Sequence, residues 1–336
     1  MSANTFGIDL GTGNIKIYDR SADGVIVEKN MIAIKNKTDV FAYGNAAYDM
    51  YEKAPSNIKI SYPLSGGVIA DINHMETLVR MFITAQMRGQ PKSVDVYVAI
   101  PHDVTEVERK AFRDLIQDSN VRAKEIRLVE KALADGLGMD IDVMNSQGVL
   151  IVDVGFDTTE ISVLSLGGIV ISKLMKIAGR QFDDTIRSTV RRELSLIIGE
   201  KTAENLRISL QDLYKENRDA VIYGRDIVTG LPVERQIQPS IITHSLTDDF
   251  DQILDMIKAT LERTPPELAA DIYKHGIYLT GGASQTKNLA QHISDGVSLN
   301  VNLAEMPIAS VSMGLARIIR ESAFRSLAYD IESSYR

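Results

Sequence analysis

Two segments of the chain share one pattern of apolar and polar residues. The first begins at Phe6 and the second at Leu150, and in each an apolar run leads through Asp-x-Gly into a short small or polar stretch, after which apolar and polar residues alternate. Alternation with a period of two is typical of a half-buried strand, and small residues favour a tight turn. We therefore predict two β-hairpins. Because each opens about half of the chain, they indicate two lobes of similar construction, although β-rich segments can also match by chance.

Strand and helix patterns alternate through the rest of the chain. A Thr-x-x-Glu capping box (Thr105 and Glu108) marks the start of one helix. Apolar residues at helical spacing predict helices at 69–87, 105–118, 130–139, 183–198, from 202, at 247–262, 266–274 and 286–294, and in the tail from 308. Short apolar runs predict strands at 94–100, 126–129, 168–173 and 277–279, with a β-like, turn-rich segment at 220–237. This alternation predicts an α/β fold in two lobes.

Composition and charge exclude several classes of protein. The 336 residues are 44% hydrophobic and 24% charged, as expected for a globular chain with room for two domains. Since 37 Lys and Arg stand against 45 Asp and Glu, the net charge of −8 weighs against nucleic-acid binding. The chain has no cysteine, which excludes disulfides and zinc–thiolate sites. No apolar run approaches the ~18 residues of a transmembrane helix, so we expect a cytoplasmic protein.

The turn of the first hairpin has the composition of an anion-binding loop. It consists of Asp9, Gly11, Thr12, Gly13 and Asn14, with Lys16 on the outgoing strand. Small residues leave backbone N–H groups free to face an anion, and the lysine can reach back over the turn as a point charge. The alternative is an ordinary hairpin turn with a solvent-facing lysine.

The turn of the second hairpin repeats this chemistry. It consists of Asp153, Gly155, Phe156, Asp157, Thr158 and Thr159. Two facing turns, each with one carboxylate, would hold a polyphosphate and its hydrated Mg²⁺, with Asp9 and Asp153 as the residues nearest the metal. Either aspartate alone is more often a carboxylate that caps local amides.

A third turn follows a predicted strand and combines Gly281 and Gly282 with Ala283 and Ser284. Glycines at a strand end permit close backbone approach to a flat ring or a phosphate, but a plain turn has the same composition. The sequence contains neither G-x-x-x-x-G-K-[ST] nor G-x-G-x-x-G. The motifs of P-loop proteins and dinucleotide-binding folds are therefore excluded.

Together the hairpins and the glycine turn resemble the actin superfamily, and within it the bacterial actin MreB family. Five further segments carry the narrower resemblance, in the order of the family: PLSGGVIAD (63–71), TEVERKA (105–111), IGEKTAE (198–204), GRDIVTGLP (224–232) and PPELAADI (265–272). The resemblance spans the chain from residue 6 to about 317. It implies an actin-like fold of two lobes, with a duplicated sheet and helix core and a nucleotide cleft between them.

The resemblance also implies roles for individual residues. Thr12, Gly13 and Asn14 fall on the first phosphate loop, and Phe156, Asp157 and Thr158 fall on the second. Glu204 and Arg207 correspond to the pair that flanks ribose and adenine, and Ala283 and Ser284 to the adenosine loop. Glu130 corresponds to the acidic residue that positions the attacking water, although its place at a helix start is itself favourable for a carboxylate.

Several positions depart from the family pattern. Phe156 and Asp157 stand where the family's second loop, D-x-G-G-G-T-T, has glycines, and Lys131 stands where proline follows the glutamate. Lys16 resembles instead the phosphate-binding lysine of conventional actins. A carboxylate beside the γ-phosphate would repel it, so we expect Asp157 to point out of the cleft or to reach the metal. These departures predict slow hydrolysis.

The family implies the following organisation. Residues 1–140, with a small subdomain at about 31–67, form the first lobe, which the C-terminal helices (308–336) complete; residues 148–307, with a small subdomain at about 180–240, form the second. The implied function is that of an ATP-binding, filament-forming cytoskeletal protein in cell shape or intracellular organisation. The alternatives are a magnetosome-aligning (MamK-type) or plasmid-segregating filament, or a chaperone-like or sugar-kinase-like ATPase.

The implied partners are further copies of the chain and membrane-bound proteins of cell-wall synthesis or organelle positioning, with ATP or ADP and Mg²⁺ as cofactors. Location at the inner membrane would then arise through such partners. Only five residues precede Phe6, too few for an amphipathic anchor helix. Residues 86–92, where the family's apolar membrane loop would lie, are predicted to form a plain surface loop, which does not favour direct membrane binding.

Overall fold

The strands of the protein lie within residues 4–87 and 93–330, which are the residues that its computed structural model describes. They are β1 (Thr5–Leu10), β2 (Asn14–Asp19), β3 (Gly24–Lys29), β4 (Ile32–Lys35), β5 (Asp39–Tyr43), β6 (Ile58–Ser61), β7 (Leu64–Ser65), β8 (Val68–Ile69), β9 (Val94–Ile100), β10 (Ala123–Glu130), β11 (Val149–Val154), β12 (Thr159–Ser165), β13 (Gly168–Met175), β14 (Leu196–Ile197), β15 (Ala220–Asp226), β16 (Pro232–Ile237), β17 (Ile277–Thr280), β18 (Val301–Leu303) and β19 (Ala328–Tyr329).

The helices alternate with these strands. They are α1 (Asn45–Met50), α2 (Ile72–Gln86), α3 (Glu106–Asp118), α4 (Lys131–Gly138), α5 (Gly179–Leu194), α6 (Glu200–Glu216), α7 (Pro239–Ser245), α8 (Thr247–Arg263), α9 (Pro266–His275), α10 (Leu289–Val297) and α11 (Ser310–Arg320). Two 3₁₀ turns lie at Gly282–Gln285 and Ser322–Leu327. Within the described ranges no helix is both long and apolar enough to cross a bilayer.

Two large sheets repeat one arrangement. In the first the strand order is β19-β10-β9-β1-β2-β3, and in the second it is β13-β12-β11-β17-β18. In each, an antiparallel hairpin (β1–β2 or β11–β12) pairs with a third antiparallel strand on one side and with a parallel strand on the other. Both predicted hairpins and the two-lobed α/β fold are thus confirmed. The lobe boundaries themselves stay a prediction.

Smaller sheets flank the large ones. Strands β4, β5 and β6 form one, β14, β15 and β16 form another, and β7 pairs with β8. The turn-rich segment at 220–237, which was predicted to be β-like, forms strands β15 and β16. The small sheet built from β4–β6, and the short helix α1 beside it, have no counterpart among the predicted elements.

The two large sheets share a core through helices α4 and α11. One apolar cluster joins Tyr97 and Val129 of the first sheet to Ile151 and Leu164 of the second, with residues of both helices between them. The helices touch through glycine: a Cβ on Gly138 would lie 1.8 Å from the Ser310 carbonyl oxygen, so no larger residue fits without displacement. This contact places α4 and α11 as the connection between the sheets.

Local sequence patterns predict the ends of some helices and strands correctly and the ends of others incorrectly. Strand β9 has the predicted bounds, and α3 begins with the predicted capping box, in which Thr105 accepts from the Glu108 N–H. The helix predicted from 183 to about 198 is wrong at both ends, because α5 begins at Gly179 and ends at Leu194, before Ser195, whose φ is +49°. The helix predicted near 286 begins only at Leu289.

The C-terminal tail is less helical than expected. After α11 the chain forms a 3₁₀ turn and the short strand β19, which pairs with β10. Residues 331–336 of the predicted C-terminal helices, and residues 88–92 of the predicted surface loop, lie outside the described residues.

Candidate functional site

A cavity of about 690 Å³ lies where the turns of the two hairpins face each other. Helix α6 and the turn after β17 complete its wall. The predicted site residues that line it are Asp9, Gly11, Thr12, Gly13, Asn14, Lys16, Asp153, Gly155, Phe156, Asp157, Thr158, Glu204, Arg207, Gly281, Gly282 and Ala283. The structure thus brings together residues that are up to 274 positions apart in the sequence, from Asp9 to Ala283.

The first turn combines a carboxylate, a lysine and close backbone approach. Asp9 and Lys16 are paired across the hairpin, and Nζ of Lys16 lies 2.8 Å from Oδ2 of Asp9. A Cβ on Gly13 would lie 2.7 Å from Cγ of Phe156 in the opposite turn. Glycine at position 13 therefore lets the two turns approach, and Phe156 fills the space between them.

The second predicted metal residue also has a lysine partner. Asp153 forms an ion pair with Lys131, the first residue of α4, and the ammonium group also lies in the field of Asp9, Asp135 and Glu160. Burial lowers the pKa of Lys131, but these carboxylates outweigh it and raise the pKa above its ordinary value. Among the described residues no group of three or more His, Cys, Asp or Glu side chains is arranged to hold a metal ion.

Two further carboxyl groups lie buried near these pairs. Burial, and then the charge of Asp153, raise the pKa of Asp135 well above its ordinary value. Its Oδ1 accepts a hydrogen bond of 2.6 Å from the Ser310 hydroxyl. Burial also raises the pKa of Glu160, although Lys131 opposes the shift.

Asp157 is turned toward protein groups. Its Oδ2 accepts a hydrogen bond of 2.8 Å from the Gly66 N–H, and its Oδ1 lies 2.9 Å from Nε of Arg180. The guanidinium of Arg180 in turn lies over the rings of Tyr62 and Phe156, with its Cζ 5.1 and 4.8 Å from the ring centroids. Asp157, Arg180, Tyr62 and the Gly66 N–H, which we call the cleft clasp, link the second turn to the segment around β7.

Helix α6 carries polar groups at helical spacing toward the cavity. Glu204 lies 3.0 Å from Nζ of Lys29 and also accepts from the Tyr48 hydroxyl. Burial alone would raise the pKa of Glu204, but Lys29 and Tyr48 hold it below its ordinary value. Arg207 donates to Asp183 at 2.7 Å, and burial raises the pKa of Asp183 to about 6 although Arg207 opposes the shift.

The turn after β17 requires a glycine. Gly281 has a φ of +90°, and a Cβ there would lie 2.2 Å from Oδ1 of Asp153 and 2.3 Å from the Val154 carbonyl oxygen. This turn is therefore pressed against the second hairpin. The next residue, Gly282, has space, since a Cβ there would meet only Ile308 at 3.6 Å.

Three predicted site residues do not line the cavity. The Thr159 hydroxyl donates to the Ile177 carbonyl oxygen at 2.6 Å, and the Ser284 hydroxyl donates to the Gly281 carbonyl oxygen at 2.7 Å. Thr159, which the sequence places in the second turn, thus directs its hydroxyl hydrogen bond to a backbone carbonyl and not into the cavity. Oε1 of Glu130 accepts from Arg109 and from the Tyr329 hydroxyl, both at 2.8 Å, and Oε2 lies 3.2 Å from Nδ1 of His102.

The cavity also contains residues that the sequence did not identify as site residues: Lys29, Lys131, Ile208 and Gln211. Ile208 and Gln211 follow Glu204 by one and two helical turns, so the spacing on α6 was a usable signal. In the sequence, Lys131 stands out only because it replaces proline. Its contact with Asp153 joins two lobes and has no local signal.

Comparisons with known proteins give one consistent family. The family model described as "MreB/Mbl protein" matches residues 3–325. The cell shape-determining protein Mbl of Bacillus subtilis is 34% identical over 94% of this chain and 95% of its own length. The cell shape-determining protein MreB of Escherichia coli is 34% identical over 94% of this chain and 92% of its own length.

Solved structures agree. MreB5 of Spiroplasma citri bound to ADP is 35% identical, covers 97% of this chain and 98% of its own, and superimposes with a TM-score of 0.89. The same protein bound to AMPPNP also gives 0.89, over 99% of both chains. A MamK double helical filament, 19% identical over 94% of this chain and 98% of its own with a TM-score of 0.78, shares the fold.

Proposed function

The chain belongs to the MreB/Mbl family, and from this premise we propose that it binds ATP or ADP in the cavity and assembles into an actin-like filament with a role in cell shape. The observation that carries the proposal is the pair of hairpin turns that face one cavity, each with backbone amides and a lysine near its aspartate. Such turns suit a polyphosphate, since amides and ammonium groups both bind anions.

Each wall of the cavity has a distinct part in this proposal. The amides of 11–14 and 156–158 would bind the phosphates, and Lys16 would add a charge to them. The Gly155 N–H already donates to the Thr158 carbonyl oxygen. Glu204 and Arg207 on α6 would flank ribose and base. The turn at 281–284 would lie along the adenosine, where Gly282 leaves room for a flat ring.

Asp9 and Asp153 do not fit as direct Mg²⁺ ligands. Each already has an ammonium partner, Lys16 and Lys131 respectively. An ion placed between the carboxylates would meet two positive charges. We therefore assign no step of the nucleotide cycle to a metal ion held by these two residues.

Slow ATP hydrolysis belongs to the same proposal. Glu130 is the candidate that orients the attacking water, but Arg109, Tyr329 and His102 occupy both of its carboxylate oxygens. To act, it must hold a water on a lone pair that these contacts leave free, although it does not line the cavity. This requirement, together with Lys131 in place of proline, supports a low turnover.

Self-assembly is proposed from family membership. Head-to-tail contacts that do not close into a ring generate a filament. A role in cell shape is favoured over organelle alignment, because the relatives at 34% identity are cell shape-determining proteins whereas the MamK filament is 19% identical. We propose membrane-bound proteins of cell-wall synthesis as further partners, through which the filament would lie at the inner membrane.

Nucleotide binding is tested by thermal unfolding with and without ADP or ATP. Binding to the folded state adds about 2.7 kcal/mol to the free energy of unfolding when the nucleotide is at a hundredfold excess over Kd, and this raises the melting temperature. Gly282→Val places a side chain in the open space at the cavity wall and should abolish the shift while the protein stays folded. Gly24→Val, with only the Ala22 carbonyl oxygen within 4 Å of its Cβ, is the control.

Electron microscopy with ATP tests for filaments. A chain that binds nucleotide but never polymerises would contradict the proposed self-assembly.

A further inference from the structure

Four charged side chains face the cavity as two lysine–aspartate pairs. One pair is Lys16 with Asp9, at 2.8 Å, and the other is Lys131 with Asp153. All four residues line the cavity, and both aspartates are at least 95% buried. The two hairpin turns thus contribute one carboxylate each, and each carboxylate is neutralised by a cation that belongs to the chain.

The two lysines differ in origin. Lys16 lies on the same hairpin as its partner, with the register Asp9–Lys16. Lys131 starts helix α4, directly after the first-sheet strand β10, and reaches Asp153 in the second sheet. Its ammonium group is therefore fixed at the point where the two sheets meet the cavity, and it also lies in the field of Asp9.

A divalent cation and an ammonium group compete for this place. Mg²⁺ requires octahedral coordination and is usually held by one or two carboxylates together with phosphate oxygens and water. An ammonium group supplies a point charge and three donors, which neutralise carboxylate and phosphate oxygens without a coordination sphere. Because Lys131 is in contact with Asp153, the pair has no net charge and does not attract a soluble cation.

We propose that Lys131 is a specificity-determining residue of the nucleotide site, a tethered cation that makes nucleotide affinity nearly independent of Mg²⁺. The inference rests on the proposed nucleotide binding and adds to it a dependence on metal concentration. Without Lys131, Asp153 would face the phosphates as an unpaired carboxylate, and a soluble divalent cation would have to take the place of the ammonium group.

The test is the ratio of ADP dissociation constants measured in EDTA and in millimolar MgCl₂ at constant ionic strength, with a fluorescent ADP analogue or calorimetry. For the unmodified protein we expect a ratio below about threefold. For Lys131→Met, which keeps the length of the side chain without its charge, we expect at least tenfold. Lys131→Arg should keep the low ratio, and Lys124→Met, the same change on the exposed start of β10, is the matched control.

Removal of one partner of a buried ion pair can unfold a protein. The double variant Lys131→Met with Asp153→Asn removes both charges and should fold and retain a low ratio, since Asp9, the other of the two aspartates, keeps Lys16 as its partner. A ratio of tenfold or more in the unmodified protein, or an unchanged low ratio in a folded Lys131→Met, would overturn the inference. Absence of ADP binding even in MgCl₂ would instead contradict the proposed function.

Discussion

Asp135 on α4 is a buried carboxyl group with incomplete hydrogen bonding. Its Oδ1 accepts from Ser310, whereas its Oδ2 has no hydrogen-bond partner among the described residues. A charged carboxylate is costly in such surroundings, which agrees with its raised pKa. Burial therefore favours the protonated form of this carboxyl group in the folded protein.

A pH prediction follows for Asp135. Because its pKa is higher in the folded than in the unfolded chain, the folded state binds the extra proton, and this contribution to stability is lost as pH rises from the ordinary value near 3.8 through the folded pKa. Asp135→Asn cannot ionise and keeps the acceptor for Ser310. We expect a higher melting temperature than the unmodified protein at pH 8 and a flatter dependence on pH. A lower melting temperature at pH 8 would show that the charge is needed; Asp140→Asn at an exposed position is the control.

Glu130 gives a prediction about catalysis. If it orients water, Glu130→Ala should lower ATP turnover by about 10²-fold or more, the range of general-base catalysis, while ADP affinity stays nearly unchanged. Glu125→Ala, on the exposed start of the same strand, should leave turnover unaffected. Steady-state phosphate release measures both. Equal turnover in the two variants would leave Glu130 as a partner of Arg109 and Tyr329 alone.

At the scale of elements, the cleft clasp depends on a short loop of the second hairpin. Asp157 reaches Gly66 and Arg180, so one carboxylate holds together the second turn, the start of α5 and the loop between β7 and β8. We expect Asp157→Gly to speed nucleotide dissociation by at least about tenfold, since a hydrogen bond to a charged group contributes roughly 1.5–3 kcal/mol and about 1.4 kcal/mol corresponds to a factor of ten. Stopped-flow release of a fluorescent ADP analogue measures the rate.

The companion variant Asp157→Asn separates charge from hydrogen bonding. It keeps an acceptor for the Gly66 N–H but loses the ion pair with Arg180, so its dissociation rate should fall between those of Asp157→Gly and the unmodified protein. If Asp157→Gly instead slows dissociation or raises ATP affinity tenfold, the carboxylate acts on the phosphates and the clasp is not its role.

Elements with local signals were predicted from the sequence, and those without them were not. The period-two alternation and the small turn residues of each hairpin lie within a few positions, so the hairpins follow from one short pattern. The 16 predicted site residues that line the cavity follow from that pattern or from the family resemblance. The small sheet of β4, β5 and β6 has strands of only 4 or 5 residues, of which β4 is mostly buried and β5 mostly exposed, so they share no pattern long enough to stand out. The contact between Lys131 and Asp153 depends on how two sheets meet, which no local pattern reports.

At the scale of the whole molecule, α4 and α11 hold the two large sheets together. A Cβ on Gly314 would lie 1.8 Å from the Ala134 carbonyl oxygen, so Gly314→Ala must push the helices apart. Overpacking of this kind typically lowers the free energy of unfolding by about 1–3 kcal/mol. Here it acts on a core that both sheets share. We therefore expect a lower melting temperature with unfolding still in a single transition. Calorimetry checks this, with Gly24→Ala as control; two separate transitions would show that the sheets unfold independently.

The shared core also limits how the molecule can move. Because both sheets pack on the same pair of helices, their inner edges cannot separate, and a change in the cavity can only swing the outer small sheets or rotate one lobe slightly about the helix pair. In a polymer such a rotation is repeated at every subunit and adds up along the length. A rotation too small to notice in one copy would then change the helical pitch of the whole filament. The pitch would therefore report the state of the bound nucleotide.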